Sequence, residues 1–162
     1  MNPIMINTSQ AEQDGLGLVD NGANTCMIGP EFYIEVQHEN RRVRIEGFGG
    51  PFHTIRNMRM GNGITALDLE EETVLIRINE AVISPYKTII SVNQVHACGH
   101  QVDDKPLRYG GRQSISPKFE NFHIPLKYIG ALTYMSIRNP TRKELNELPV
   151  IDLTNYQFPI KR

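Results

Sequence analysis

Asp20 ends the apolar step of "LVDNGANTC", with Gly22 two places on and the small Ala23 behind it. A carboxylate at the end of an apolar run is carried toward the interior, where an unpaired charge is expensive. It must be neutralised there or do chemistry. The simplest mate is the same residue of a second copy, across a two-fold axis. Two carboxylates held that close share one proton, so one acts as general base on a water and the other as general acid toward a carbonyl oxygen. A glycine at Asp-x-Gly lets the backbone turn sharply at a strand end, and a small following residue lets a substrate backbone lie close.

Two other clusters have residue types that do chemistry. "HACGH" places His96, Cys98 and His100 within five residues, with Cys26 as an outside ligand for a zinc reading. Two-residue spacing sets His96 and Cys98 on different sides of a helix, and there is no second Cys/His pair. The segment therefore reads as a solvated helix end, and no metal or other cofactor is expected. Glu70, Glu71 and Glu72 read as a solvated turn.

The elements around Asp20 are mostly short strands. "RRVRIEG" alternates, with Val43 and Ile45 on one side and Arg42, Arg44 and Glu46 on the other. "FGGP" reads as a tip and "FHTIRN" as the returning strand, while "RMGNGI" offers a second glycine-rich turn. "ITALDL", "TVLIRINEAV" and "KTIIS" follow as strands, the second setting Val74, Ile76 and Ile78 on one face. Ser91 and Gln94 form a Ser-x-x-Gln capping box for a single short helix that Gly99 ends. Thr141 and Glu144 repeat the device ahead of Leu145 and Leu148, and this amphipathic turn should pack on its own domain. "GGRQSIS", "FHIPLKYI" and "ALTYMSIR" read as further strands.

At this point the residues resemble a family. "LVDNGA" is similar to the Asp-Thr/Ser-Gly-Ala signature of retropepsins, the dimeric aspartic proteases of retroviruses and retrotransposons. "IEGFGGPF", with Gly47 27 positions after Asp20, resembles their glycine-rich flap. "TIISVNQVHACG" resembles the apolar-apolar-Gly segment and helix beneath their active-site loop. More loosely, the remainder resembles the region around and after the protease in copia-like Pol polyproteins.

The resemblance implies a mainly β fold, a closed retropepsin-like barrel with one or two short helices and a β-rich C-terminal extension. It divides the chain into a loose segment 1–15, a protease core 16–99 and an extension 100–162. It implies Asp20 as the catalytic residue, Asn21, Gly22, Ala23 and Asn24 as its loop, and Gly47, Phe48, Gly49 and Gly50 as the flap. Ile89, Ile90 and Ser91 would support the loop. The implied partners are a second copy of the chain and a polypeptide substrate, its own polyprotein, in a cytoplasmic setting that includes virus-like particles.

Three positions depart from the pattern. Asn21 stands where a hydroxyl residue is usual, Ser91 where Gly is usual, and Val92 where retroviral members have Arg. Asn24 replaces the acidic residue that such an Arg would bind, so two of the departures match each other. Because of Asn21, a catalytically silent dimerisation or assembly module is the competing expectation. A third is a capsid- or nucleic-acid-associated β domain. The formal net charge of -1 speaks against that one and leads to no expected direct nucleic-acid binding.

Composition agrees with a soluble globular chain of 162 residues: 40% hydrophobic and 22% charged. No apolar run is long enough to span a bilayer, so no membrane partner is expected. The first residues lack the layout of a signal peptide. Two cysteines, Cys26 and Cys98, make no disulfide framework.

Overall fold

The computed structural model describes residues 15–46 and 54–155, and these are mainly strand. The expected flap residues Gly47, Phe48, Gly49 and Gly50 lie outside the described residues. β1 (Leu16–Asp20) lies in the middle of the main sheet, between β11 (Leu132–Ser136) and β6 (Thr88–Ser91). It runs antiparallel to β11 and parallel to β6, with Asp20 opposite Ser91. On the far side of β6 comes β2 (Met27–Ile28), then β5 (Thr73–Ile83), β4 (Thr54–Asp68) and β3 (Tyr33–Glu46). β10 (Lys127–Ile129) forms the other edge, against β11. β7 (Gln101–Asp103), β8 (Ser114–Ser116) and β9 (Ile124–Pro125) make a separate three-stranded sheet.

β5 is buried along most of its length. Val74, Ile76 and Ile78 enter the main core with Val19, Ile28, Ile90 and Val95, as their alternation predicts. Leu75 points the other way, into a second cluster with Ile64 and Ala66. α2 (Arg142–Glu147) covers that cluster through Leu145 and Leu148, so the helix packs on its own chain as expected. Its Thr141–Glu144 capping box is complete in both directions. One edge of β5 is shared in turn by two short parallel partners, β12 (Val150–Asp152) and β2. Neither is marked in the sequence, because a strand of two or three residues shows no periodicity.

The path of named strands runs open from β10 to β3. One isolated antiparallel bridge links its interior parts: Ala66 of β4 exchanges two backbone hydrogen bonds with Arg138, two residues beyond β11 (2.9 and 3.0 Å). The Arg138 guanidinium reinforces this bridge, reaching Asp68 and Glu144 at 2.7 Å each.

"RMGNGI" is not a turn. Gly61 and Gly63 lie buried inside β4, which fuses the segments read as "FHTIRN" and "ITALDL" into one strand. The glycines are needed because β3 approaches too closely for a side chain. A Cβ on Gly61 would lie 2.2 Å from the Val36 carbonyl oxygen, and one on Gly63 would lie 2.9 Å from that of Tyr33. Gly61→Ala must therefore displace backbone and should destabilise the protein by about 3 kcal/mol, read from denaturant midpoints.

Arg138 also sets an acid limit. Its hydrogen bonds hold the Asp68 and Glu144 carboxyls down at about 2. Depressed carboxylates contribute stability above their unfolded value of roughly 4, and that contribution is lost as pH falls through the folded value. Thermal melts should show stability falling between about pH 4 and pH 2, and Arg138→Met should flatten this limb while lowering the melting temperature at pH 7. An unchanged acid limb in the variant would refute the assignment.

Candidate active site

The chain leaves β1 at Asp20, crosses the end of β6 and enters β2 on its other side. Residues 21–25 make that crossing outside any ladder and Cys26 joins one only through its carbonyl, which accepts from the Val82 N–H of β5 at 3.0 Å, so the other polar backbone groups need other partners. The first is the Asp20 carboxylate, whose Oδ1 accepts from the Gly22 N–H at 2.8 Å. Its Oδ2 has no hydrogen-bond partner among the described residues. Asp20 is half-buried, not enclosed as its apolar approach suggests. Lys87, also half-buried, lies within reach of its charge. Burial lowers the Lys87 pKa and the Asp20 carboxylate works against that shift.

The side-chain partners from outside the loop come from one place, the start of α1 (Val92–Ala97). The Ser91 hydroxyl donates to the Ala23 carbonyl at 2.8 Å. The Asn93 amide donates to the carbonyls of Ala23 (3.1 Å) and Asn21 (3.4 Å). Gln94 Oε1 accepts from the Cys26 N–H at 2.6 Å. The Ser91 N–H donates to the Cys26 sulfur at 3.1 Å. Cys26 is fully buried, and burial pushes its thiol up to about 12, so it serves here as a hydrogen-bonding core residue and not a nucleophile.

Ser91 thus has three roles. It pairs with Asp20 in the sheet, caps α1 by accepting from Gln94 N (3.1 Å) and ties down the loop. Gln94 corrects the capping-box expectation. Its side chain does not return to the Ser91 N–H; it reaches across to Cys26 and, through Nε2, to the Glu80 carbonyl (3.3 Å). Ile90 is fully buried beneath the loop, Ile89 is half-buried, and Val92 takes a place in the core. Asn21, Gly22 and Asn24 are exposed, with Ala23 half-buried between them. Asn93, Gln94 and Cys26 were missed as loop supports because their partners are distant in sequence.

Histidine and cysteine do not combine elsewhere. Among the described residues no three His, Cys, Asp or Glu side chains are grouped to hold a metal ion. The expected solvated helix end needs correcting, since His100 is buried. Its Nδ1 accepts from the Lys118 N–H at 2.8 Å and its Nε2 lies 2.9 Å from the Asp152 carbonyl, an arrangement that assigns the neutral Nε2–H tautomer. Glu70, Glu71 and Glu72 are exposed on the turn between β4 and β5, as read. No helix among the described residues is long and apolar enough to cross a membrane.

Comparison with protein-family models, with curated proteins and with solved structures gives no match.

The brace makes a direct prediction. Gln94→Leu removes the acceptor for a backbone N–H in a fully buried residue, which should destabilise the fold by about 1–3 kcal/mol. Hydrogen exchange should show the Cys26 amide opening at least tenfold faster than in wild type. Exchange that stays unchanged at Cys26 would mean that Gln94 does not hold the loop.

Proposed function

We propose that the chain is a retropepsin-like aspartic endopeptidase that acts as a homodimer on a retroelement polyprotein. The observation carrying this reading is the placement of Asp20. It ends a central strand, and its loop is braced from beneath by Ser91, Asn93 and Gln94, leaving Oδ2 without a partner among the described residues. A carboxylate in a fixed loop with an unused oxygen is suited to share a proton with a mate. Each protomer supplies one Asp20, and a water between the two attacks the peptide carbonyl without a covalent intermediate. The Ala66–Arg138 bridge supports curling of the sheet into the closed barrel that such enzymes use. Gly47, Phe48, Gly49 and Gly50 then cover an extended substrate, which adds a strand to the flap edges. The setting is cytoplasmic, within virus-like particles, with no cofactor.

Asn21 favours one competing reading, a silent dimerisation module, because an exposed amide stands where the resemblance has a hydroxyl. The two readings separate on Asp20→Asn. A peptide library should be cut by wild type near pH 5, where the Arg138 ion pairs remain intact. A statine-type transition-state mimic should block the cutting. The variant should lose at least 1000-fold in kcat/KM while sedimenting as the same dimer. Cleavage that survives Asp20→Asn would sink the proposal, and a dimer inert from pH 4 to 7 would establish the silent module.

A further inference from the structure

The hairpin of β10 and β11 lies in the extension 100–162, yet its register ties it to Asp20. β11 runs antiparallel to β1 with Val19 opposite Thr133. The same register carried one step further sets Leu132 beside Asp20, and Leu132 pairs in turn with Ile129 of β10. Opposed residues of adjacent strands share one face of the sheet and lie about 5 Å apart. Leu132 and Ile129 thus lead away from Asp20 along that face, within about 10 Å of it. Between them the chain reverses through Ala131 and Gly130, whose φ of 62° lies in the left-handed region.

This corner of the molecule is apolar and uncovered. Ile129 and Leu132 are each 46% exposed, and Tyr128 is 37% exposed. It is also uncharged. The exposed residues of the Asp20 loop (Asn21, Gly22 and Asn24) and of the hairpin (128–132) include no charged side chain, in a chain that is 22% charged. Large apolar side chains with charge depleted around them mark the core of a protein–protein interface. For a surface that meets its own copy the depletion matters more. Across a two-fold axis each residue approaches itself or a near neighbour, so a lysine or glutamate here would be repelled by its mate. Asp20 is the exception, and a shared proton removes that repulsion. The open edge of the same hairpin differs: β10 ends the path of named strands, and Lys127 is exposed on it, a charge that discourages edge-to-edge pairing.

We infer that the β10–β11 tip is the contact through which a second copy of this chain docks beside Asp20, an inference that rests on the homodimeric reading of that residue. It gives the extension a role in assembling the site. The two sheets meet end to end and not edge to edge. Strands lie about 4.8 Å apart, so pairing β10 with its copy would set five such gaps, about 24 Å, between the two Asp20 residues. Contact at the tip lets the carboxylates approach. Three large apolar residues at these exposures present roughly 250 Å², about a third of the ~800 Å² that each partner of a standard interface buries. The tip is therefore an anchor and not a whole interface. The dimer it holds is weak and concentration-dependent, and a ligand that spans both Asp20 residues strengthens it.

Sedimentation velocity between about 1 and about 200 μM tests it, with and without a statine-type mimic. Wild type should pass from monomer toward dimer across this range, and the mimic should move the midpoint to lower concentration. Leu132→Glu and Ile129→Glu should each raise the dimer dissociation constant by about tenfold or more. Leu132→Ser, which adds no charge, should act in the same direction, severalfold. Leu107→Glu, at an apolar residue exposed between β7 and β8, should sediment as wild type does. Because the tip residues are exposed, thermal melts should confirm that each variant is folded. A dimer that survives all three tip variants would overturn the inference: a raised KM in them would make the tip a substrate contact, and loss of the dimer in Tyr128→Pro alone would show edge pairing. A wild-type chain that stays monomeric at every concentration would overturn it too. The hydrolytic reading fails separately, since a tip-dependent dimer that cuts no peptide keeps this inference and establishes the silent module.

Discussion

Residues 21–25 must carry the chain over the end of β6, from one of its neighbours to the other, and cross outside any ladder until the Cys26 carbonyl meets β5. The rest of the site follows from that constraint. A helix starting directly after β6 puts its capping residue and first turn beneath the crossing, where short polar side chains reach stranded carbonyls and N–H groups. Ser91 and Asn93 hold the Ala23 carbonyl, Gln94 and Ser91 hold the two ends of Cys26, and Asp20 closes its own turn on Gly22. The packing below is enclosed: Ile90, Val95 and Cys26 are fully buried. In such surroundings an unmade hydrogen bond costs most, so the loop has few alternative conformations. Fixing Asp20 in place is a consequence of solving the crossing.

The same requirement recurs on the far side of β5, where the chain returns late. β12 adds only three residues to the sheet, and after one more backbone bond, from the Leu153 N–H to the Arg77 carbonyl (2.9 Å), side chains hold the stretch that follows. Asn79 receives the Thr154 carbonyl and hydroxyl, donating to the former at 2.7 Å from Nδ2 and to the latter at 2.7 Å from its backbone N–H. His100 holds the Asp152 carbonyl, and Arg77 ties Asp152 to Glu35. Such pairings over long sequence separations make the segment after residue 99 part of the architecture around Asp20: β11 is hydrogen-bonded to β1 itself.

The sequence made legible what is local. The strand ending at Asp20, the turn at Gly22, the cap at Ser91, the left-handed Gly99 and the capping box of α2 each follow from a few adjacent residues. What it concealed is non-local. Gln94 looks like a capping residue because its candidate partner is three positions away, while its actual partner, Cys26, is 68 positions away. Gly61 and Gly63 look like a turn because paired glycines usually punctuate. Here they admit the carbonyls of Val36 and Tyr33, which only the fold brings near. His100 looked solvated since nothing adjacent foretells the Lys118 and Asp152 backbone groups that enclose it.

Charge obeys the same distinction between local and summed quantities. A total of -1 describes the long-range field of the chain, yet a partner within a Debye length of about 10 Å meets only the charges on the element it touches. Within the sheet Arg77 is matched by Glu35 and Asp152. Arg138 is matched likewise by Asp68 and Glu144. At both places a cation that serves the fold is paired with two carboxylates drawn from distant parts of the sequence or from a neighbouring turn.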